Sequence, residues 1–116
     1  MVIDDDQVFH DLYTEMLEDN DYKLIHAYDG DEALMKLEEE TPDLFILDML
    51  MDMMTGDTVF LYLKGMPECA GIPIIVISGM PKQSYKSLKE VDPNLTFLDK
   101  TVTKEELIQV IETKIG

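Results

Sequence analysis

The chain's 116 residues carry 25 acidic side chains against 9 basic ones, a formal net charge of -16. One domain with a single core fits that length, and 46% hydrophobic residues exclude a disordered acidic tail despite the charge. Every basic residue is a lysine; with no arginine fork for phosphate or base edges, and a surface that repels polyanions, direct nucleic-acid binding is disfavoured.

Met1 to Ile3 reads as a short apolar strand that stops at Asp4-Asp5-Asp6. This start has neither the basic flank nor the apolar run of a signal peptide, and no apolar stretch is long enough for a bilayer, so a soluble cytoplasmic protein is expected. Val8, Phe9, Leu12, Met16 and Leu17 recur at spacings of three and four, which predicts a first helix closed by Asn20-Asp21. Lys23 to Tyr28 reads as a second strand. Asp29-Gly30-Asp31-Glu32 opens a second helix with a D-x-x-E cap ahead of Ala33, Leu34 and Leu37. Beyond Pro42, Leu44-Phe45-Ile46-Leu47 is a continuous apolar run ending at Asp48, as expected of a strand covered on both faces.

Ile72 to Ile77 repeats that signature. Between the two runs lie a methionine-rich loop and a third helix from about Gly56 to Met66, with Val59, Phe60 and Leu63 inward. Cys69, the one cysteine, has no partner for a disulfide within the chain, which agrees with a reducing compartment. After Ser78-Gly79 a lysine-bearing helix is expected from about Lys82 to Val91, followed by a turn at Asp92-Pro93-Asn94 and a fifth strand from Leu95 to Leu98. Thr103 and Glu106 form a capping box for a last helix carrying Leu107, Val110 and Ile111.

Five strands alternating with five helices predict an α/β fold: a doubly wound, five-stranded parallel sheet with helices on both faces, since each parallel crossover needs a helix and is right-handed. In such sheets function gathers at the carboxyl ends of the strands, near the point where strand order reverses. Those ends are Asp4-Asp5-Asp6, Asp48, Ser78 and Asp99-Lys100. Grouped carboxylates resist joint ionisation unless a cation sits among them, and their hard oxygens suit Mg²⁺.

Spacing adds to residue type: Asp5 to Asp48 is 43 positions, Asp48 to Ser78 is 30 and Ser78 to Lys100 is 22. On these residues the whole sequence resembles the receiver domain of two-component response regulators, the chemotaxis-regulator type included. The resemblance implies a flavodoxin-like (β/α)5 receiver fold, one domain over residues 1–116 with no output domain in this chain. It implies that Asp48 accepts a phosphoryl group from a sensor histidine kinase or histidine phosphotransferase. Asp4, Asp5, Asp48 and the main-chain carbonyl of Leu50 would hold Mg²⁺; Ser78 would be the switch hydroxyl and Lys100 the partner of the phosphoryl group. Phe97 occupies the aromatic switch position without the phenolic hydroxyl often found there. The signal would pass to a downstream protein through the face of the fourth helix, fifth strand and fifth helix, with no turnover catalysis. The chemistry agrees, because transfer to a carboxylate brings anions together and is helped by positioning and by charge neutralisation from metal and lysine.

The sequence also departs from the family's pattern. Asp52 stands where a proline is common, Thr55 where an aspartate is, and Thr101 follows Lys100 where a cis-proline is frequent. A non-proline cis bond costs about 2.5–4 kcal/mol, so a trans peptide is expected there. Leu50 and Met80 lie two positions after Asp48 and Ser78, where the family tunes access to the acyl phosphate, and are expected to shield it from water. Met49, Met51, Met53 and Met54 read as adaptable packing or a partner surface, since no His or Cys completes a copper(I) site beside them. His10 and His26 read as isolated structural or surface residues. Lys82, Lys86 and Lys89 are either a solvated face or a docking patch for an acidic protein.

Two further functions stay open. A receiver-like binding module that works without phosphorylation is supported by Asp52, Thr55 and Thr101. A flavodoxin-type or phosphohydrolase domain would need a glycine- or hydroxyl-rich phosphate loop after the first strand, where three aspartates stand instead. The short first strand suggests truncation at the front, and the chain reads equally as a stand-alone regulator or as part of a longer protein.

Overall fold

Residues 1–80, 83 and 85–116 are described by a computed structural model. Apolar residues in unbroken runs turn alternate side chains to opposite faces, and both faces are covered. Along β1 (Val2–Ile3), β3 (Phe45–Leu47) and β4 (Ile74–Ser78), the residues Ile3, Phe45, Leu47, Ile74 and Val76 point into one apolar layer. Val2, Ile46, Ile75 and Ile77 point into the other. With β2 (His26–Ala27) and β5 (Thr96–Asp99), these strands form one parallel sheet in the order β2-β1-β3-β4-β5.

Helices α1 (Gln7–Leu17) and α5 (Lys104–Ile115) cover one face through Tyr13, Leu17, Leu107 and Ile111. On the other lie α2 (Gly30–Leu37), α3 (Gly56–Gly65) and α4 (Leu88–Val91), which contribute Ala33, Leu37, Val59, Phe60, Leu63 and Leu88. This is the doubly wound α/β sheet, covered on both faces, that the alternation of elements predicts. The order reverses at β1, which pairs with β2 on one side and β3 on the other, opening a crevice at their carboxyl ends.

The two predicted caps form, Asp29 accepting from the Glu32 N–H and Thr103 from the Glu106 N–H, and Asp6 caps α1 by accepting from the Val8 N–H. Glu32 completes its box one residue early, accepting from the Tyr28 N–H at 3.0 Å. That bond takes Tyr28 out of the ladder, and β1 offers only two residues to pair with, so the strand expected over Lys23 to Tyr28 shrinks to His26–Ala27. The fourth helix is also shorter than its periodicity suggests: residues 85–87 form turns ahead of Leu88–Val91. Its expected start at Lys82 lies outside the described residues. Lys64 of α3 fastens the end of α4 through a 2.8 Å ion pair with Asp92.

Candidate functional site

Each parallel strand delivers the residue after its last apolar position to the same edge of the sheet. Asp4 and Asp5 follow β1, Asp48 follows β3, Ser78 ends β4 and Lys100 follows β5. Backbone bonds fix these ends, since the Asp4 N–H donates to the Ala27 carbonyl at 3.2 Å and the Asp48 N–H to the Ile3 carbonyl at 3.0 Å. One oxygen from each of Asp4, Asp5 and Asp48 lies within 4.8 Å of the other two. Asp4 and Asp48 are buried, whereas Asp5 is exposed.

Among the described residues the cluster has one cation against three carboxyl groups. The Lys100 ammonium donates to Asp4 Oδ2, stands 3.8 Å from Asp48 Oδ2 and lies 3.6 Å from the centroid of the Phe9 ring. Burial pushes the Asp48 carboxyl up to about 6; Lys100 and the Leu50 N–H oppose that rise, while the charges of Asp4 and Asp5 add to it. Oxygen-only donors, crowded and short of positive charge, fit a hard divalent cation such as Mg²⁺. Tyr13 of α1 is buried with its hydroxyl unpartnered among the described residues, and its ionisation is pushed upward by burial and then by Asp4 and Asp48.

Loops departing from the expected pattern support this arrangement in their own way. The Asp52 N–H donates to Asp5 Oδ2 at 3.3 Å, so the residue in the proline position steadies one acidic group through its backbone. Met49 and Met51 are buried and anchor the loop from below, and Met54 packs against the same layer, while Met53 is exposed. Gly56 passes so close to the strand end that a Cβ there would lie 2.2 Å from the Asp48 carbonyl oxygen. After β5, the Thr101 N–H and hydroxyl both donate to Asp99 Oδ1 at 3.0 Å, a turn that restrains Lys100 where proline is absent. Those two bonds hold the Asp99 carboxyl below its ordinary value. The Lys100–Thr101 peptide is trans, as expected.

Ser78 is buried beside the cluster's strand edge and accepts from the Met80 N–H at 3.2 Å. With Val76, Met80, Tyr85 and Phe97 it lines a cavity of about 200 Å³, so the hydroxyl and the aromatic position share one space. A larger cavity of about 370 Å³ lies at the opposite, amino end of the sheet among Leu17, Tyr22, Pro42, Leu44 and Ile111, away from these groups. Leu50 and Met80 are both exposed at the rim. Lys86 and Lys89 are exposed; Lys82 lies outside the described residues.

The two histidines, read as isolated, are in contact. His10 is buried, with Nδ1 2.7 Å from His26 Nδ1 and Nε2 2.7 Å from the Asp4 carbonyl oxygen. Burial, then the neighbouring His10 and Lys36, lowers the pKa of His26. No periodicity links residues 16 positions apart on a helix and an edge strand, so this contact carried no signal in the sequence.

Comparison with known proteins points one way. The profile of a family described as "Response regulator receiver domain" matches residues 1–112. The polar-differentiation response regulator DivK of Brucella anthropi is 23% identical over 116 residues, spanning all of this chain and 94% of its own length. Among solved structures, the Vibrio cholerae chemotaxis protein CheY4 superposes with a TM-score of 0.88 at 23% identity, covering 97% of this chain and 94% of its own. The receiver domain of NtrX from Brucella abortus superposes with a TM-score of 0.87 at 25% identity, covering 98% and 95%.

Proposed function

The chain belongs to the response regulator receiver domain family of two-component systems, and from that premise we propose that it is a phosphoacceptor switch, phosphorylated on Asp48 in a Mg²⁺-dependent reaction. The observation that carries the reading is the convergence of Asp4, Asp5 and Asp48 within 4.8 Å beside Lys100. Asp4, Asp5, Asp48 and the Leu50 carbonyl would hold the metal, which when bound neutralises the phosphoryl oxygens.

In the transfer, an Asp48 carboxylate oxygen attacks phosphorus, the bond from phosphorus to the donor nitrogen or oxygen breaks, and the leaving group takes up a proton. Lys100 lies close enough to Asp48 to pair with an incoming phosphoryl oxygen, and its compact charge suits that task. Ser78 turns its hydroxyl to the new acceptor oxygens, and Phe97 repacks in the cavity they share, a change made by packing alone because Phe97 has no hydroxyl. The readout is the α4-β5-α5 face, where Lys86 and Lys89 would meet an acidic protein target. The donor is a histidine kinase or histidine phosphotransferase in the cytoplasm, and the chain signals without being a turnover enzyme.

Incubation with a small acyl-phosphate donor and Mg²⁺, followed by intact mass measurement, tests this. A single phosphoryl adduct on the wild type and none on Asp48→Asn is the expected result. No adduct with any donor would favour a phosphorylation-independent binding module, and repeated phosphate release would favour a phosphohydrolase.

A further inference from the structure

We propose that His10 is a positioning residue for the acidic pair, its Nε2–H clamping the Asp4–Asp5 peptide plane while His26 holds the ring in the tautomer that does so. The inference rests on the reading of Asp4 and Asp5 as metal-binding residues.

The atoms dictate the direction of each bond. A carbonyl oxygen only accepts, so the His10 nitrogen 2.7 Å from the Asp4 oxygen carries the hydrogen. The ring is buried and neither nitrogen faces a carboxylate. In a neutral ring protonated at Nε2, Nδ1 is bare and must accept. Its partner 2.7 Å away is His26 Nδ1, which therefore donates. The Tyr28 ring closes the other side, its centroid 4.1 Å from that of His10, so the imidazole cannot turn aside without losing three contacts.

What the clamp fixes is a rigid unit. The Asp4 carbonyl and the Asp5 N–H belong to one planar peptide group. Holding that plane sets ψ of Asp4 and φ of Asp5 together, and these angles aim both carboxylate-bearing side chains. Other bonds restrain the same turn at its ends, with the Asp6 N–H on Asp4 Oδ1 at 2.9 Å and the Asp52 N–H on Asp5 Oδ2. His10 alone among these holds the peptide between the two acids. Partners behind a metal's ligands that orient them are worth on the order of 10-fold or more in affinity.

The test combines ring nitrogen NMR with Mg²⁺ titration by calorimetry. In the wild type, His10 should show the Nε2–H tautomer and His26 the Nδ1–H tautomer. His10→Phe, which fills the space without a donor, should weaken Mg²⁺ binding about 10-fold, while His10→Gln, whose amide N–H replaces the donor, should stay within roughly threefold of wild type. A doubly protonated or Nδ1–H His10 in the wild type would overturn the assignment irrespective of any variant's folding. So would Mg²⁺ affinity unchanged in His10→Phe, or reduced equally in both variants. Absence of Mg²⁺ binding by the wild type would remove the metal reading and the positioning role together, whereas unchanged affinity in His10→Phe removes the positioning role alone.

Discussion

Lys100 donates its ammonium to the buried Asp4 carboxylate and stands farther, at 3.8 Å, from Asp48. The lysine therefore has a structural partner before any phosphoryl group arrives. Replacing it with methionine strands a buried carboxylate, and the loss of one member of such a pair is expected to cost about 3 kcal/mol in urea unfolding at pH 7. Phosphorylation by an acyl-phosphate donor should slow by roughly 100-fold, since the charge facing the transferred group is gone. A variant that unfolds earlier yet takes up phosphate at the wild-type rate would show that Lys100 serves Asp4 only.

Asp48 gives the fold a pH dependence of its own. Its carboxyl is pushed up to about 6 from an ordinary value of 3.8, so between those limits the native state holds a proton that the unfolded chain releases. Stability from this group is fully present below about 4 and is lost as pH rises through 6, a decline on the order of 3 kcal/mol. Without divalent cations, Asp48→Asn should be more stable than wild type at pH 7.5 and should lack this decline. Urea midpoints at pH 3.5 and 7.5 measure it.

A divalent cation should reverse that deficit. Mg²⁺ at about 100 times its dissociation constant stabilises a folded state that alone binds it by roughly 2.7 kcal/mol. The wild-type melting temperature should rise with Mg²⁺ at pH 7.5, and that of a variant carrying Asp5→Asn and Asp48→Asn should not. Equal shifts in both would place the ion elsewhere.

Gly56 is held by space. A methyl group there would meet the Asp48 carbonyl oxygen at 2.2 Å and Met49 Cα at 2.5 Å, both backbone atoms that cannot step aside. Gly56→Ala should lose about 2–3 kcal/mol in urea unfolding. Because the displaced atoms carry Asp48, its Mg²⁺ affinity should fall as well.

Leu50 and Met80 stand exposed at the rim, free to fold over a phosphoryl adduct on Asp48. Leu50→Asn and Met80→Glu should each shorten the phosphorylated half-life several-fold, followed by loss of radiolabel from the purified adduct. Unchanged half-lives in both would leave the rim without a role in water exclusion.

Much of the site was readable from local pattern. A parallel sheet brings all carboxyl ends of its strands to one edge, so Asp4, Asp5, Asp48, Ser78 and Lys100 needed only their place after an apolar run to be grouped. The geometry that relates them was not readable. Lys100 takes Asp4 as its nearer partner because of where the Thr101–Asp99 turn aims it, and His10 meets His26 because of how α1 is rotated over the β2 edge. Strand length escaped for a related reason: apolar content marks a strand, but its partner decides how many residues pair, and β1 offered β2 only two. In the sequence Asp52 reads only as a departure from the proline common there, whereas its backbone N–H supports Asp5.

The tie between Asp4 and Lys100 joins positions 96 apart. Closing so long a loop comes late, after the nearer strands have paired and repaid part of the entropy. A ribosome-bound chain stopped before Lys100 holds its acidic residues without their ammonium. Phosphate uptake should thus await synthesis of the fifth strand and Lys100, which keeps copies that lack them from drawing on the donor pool.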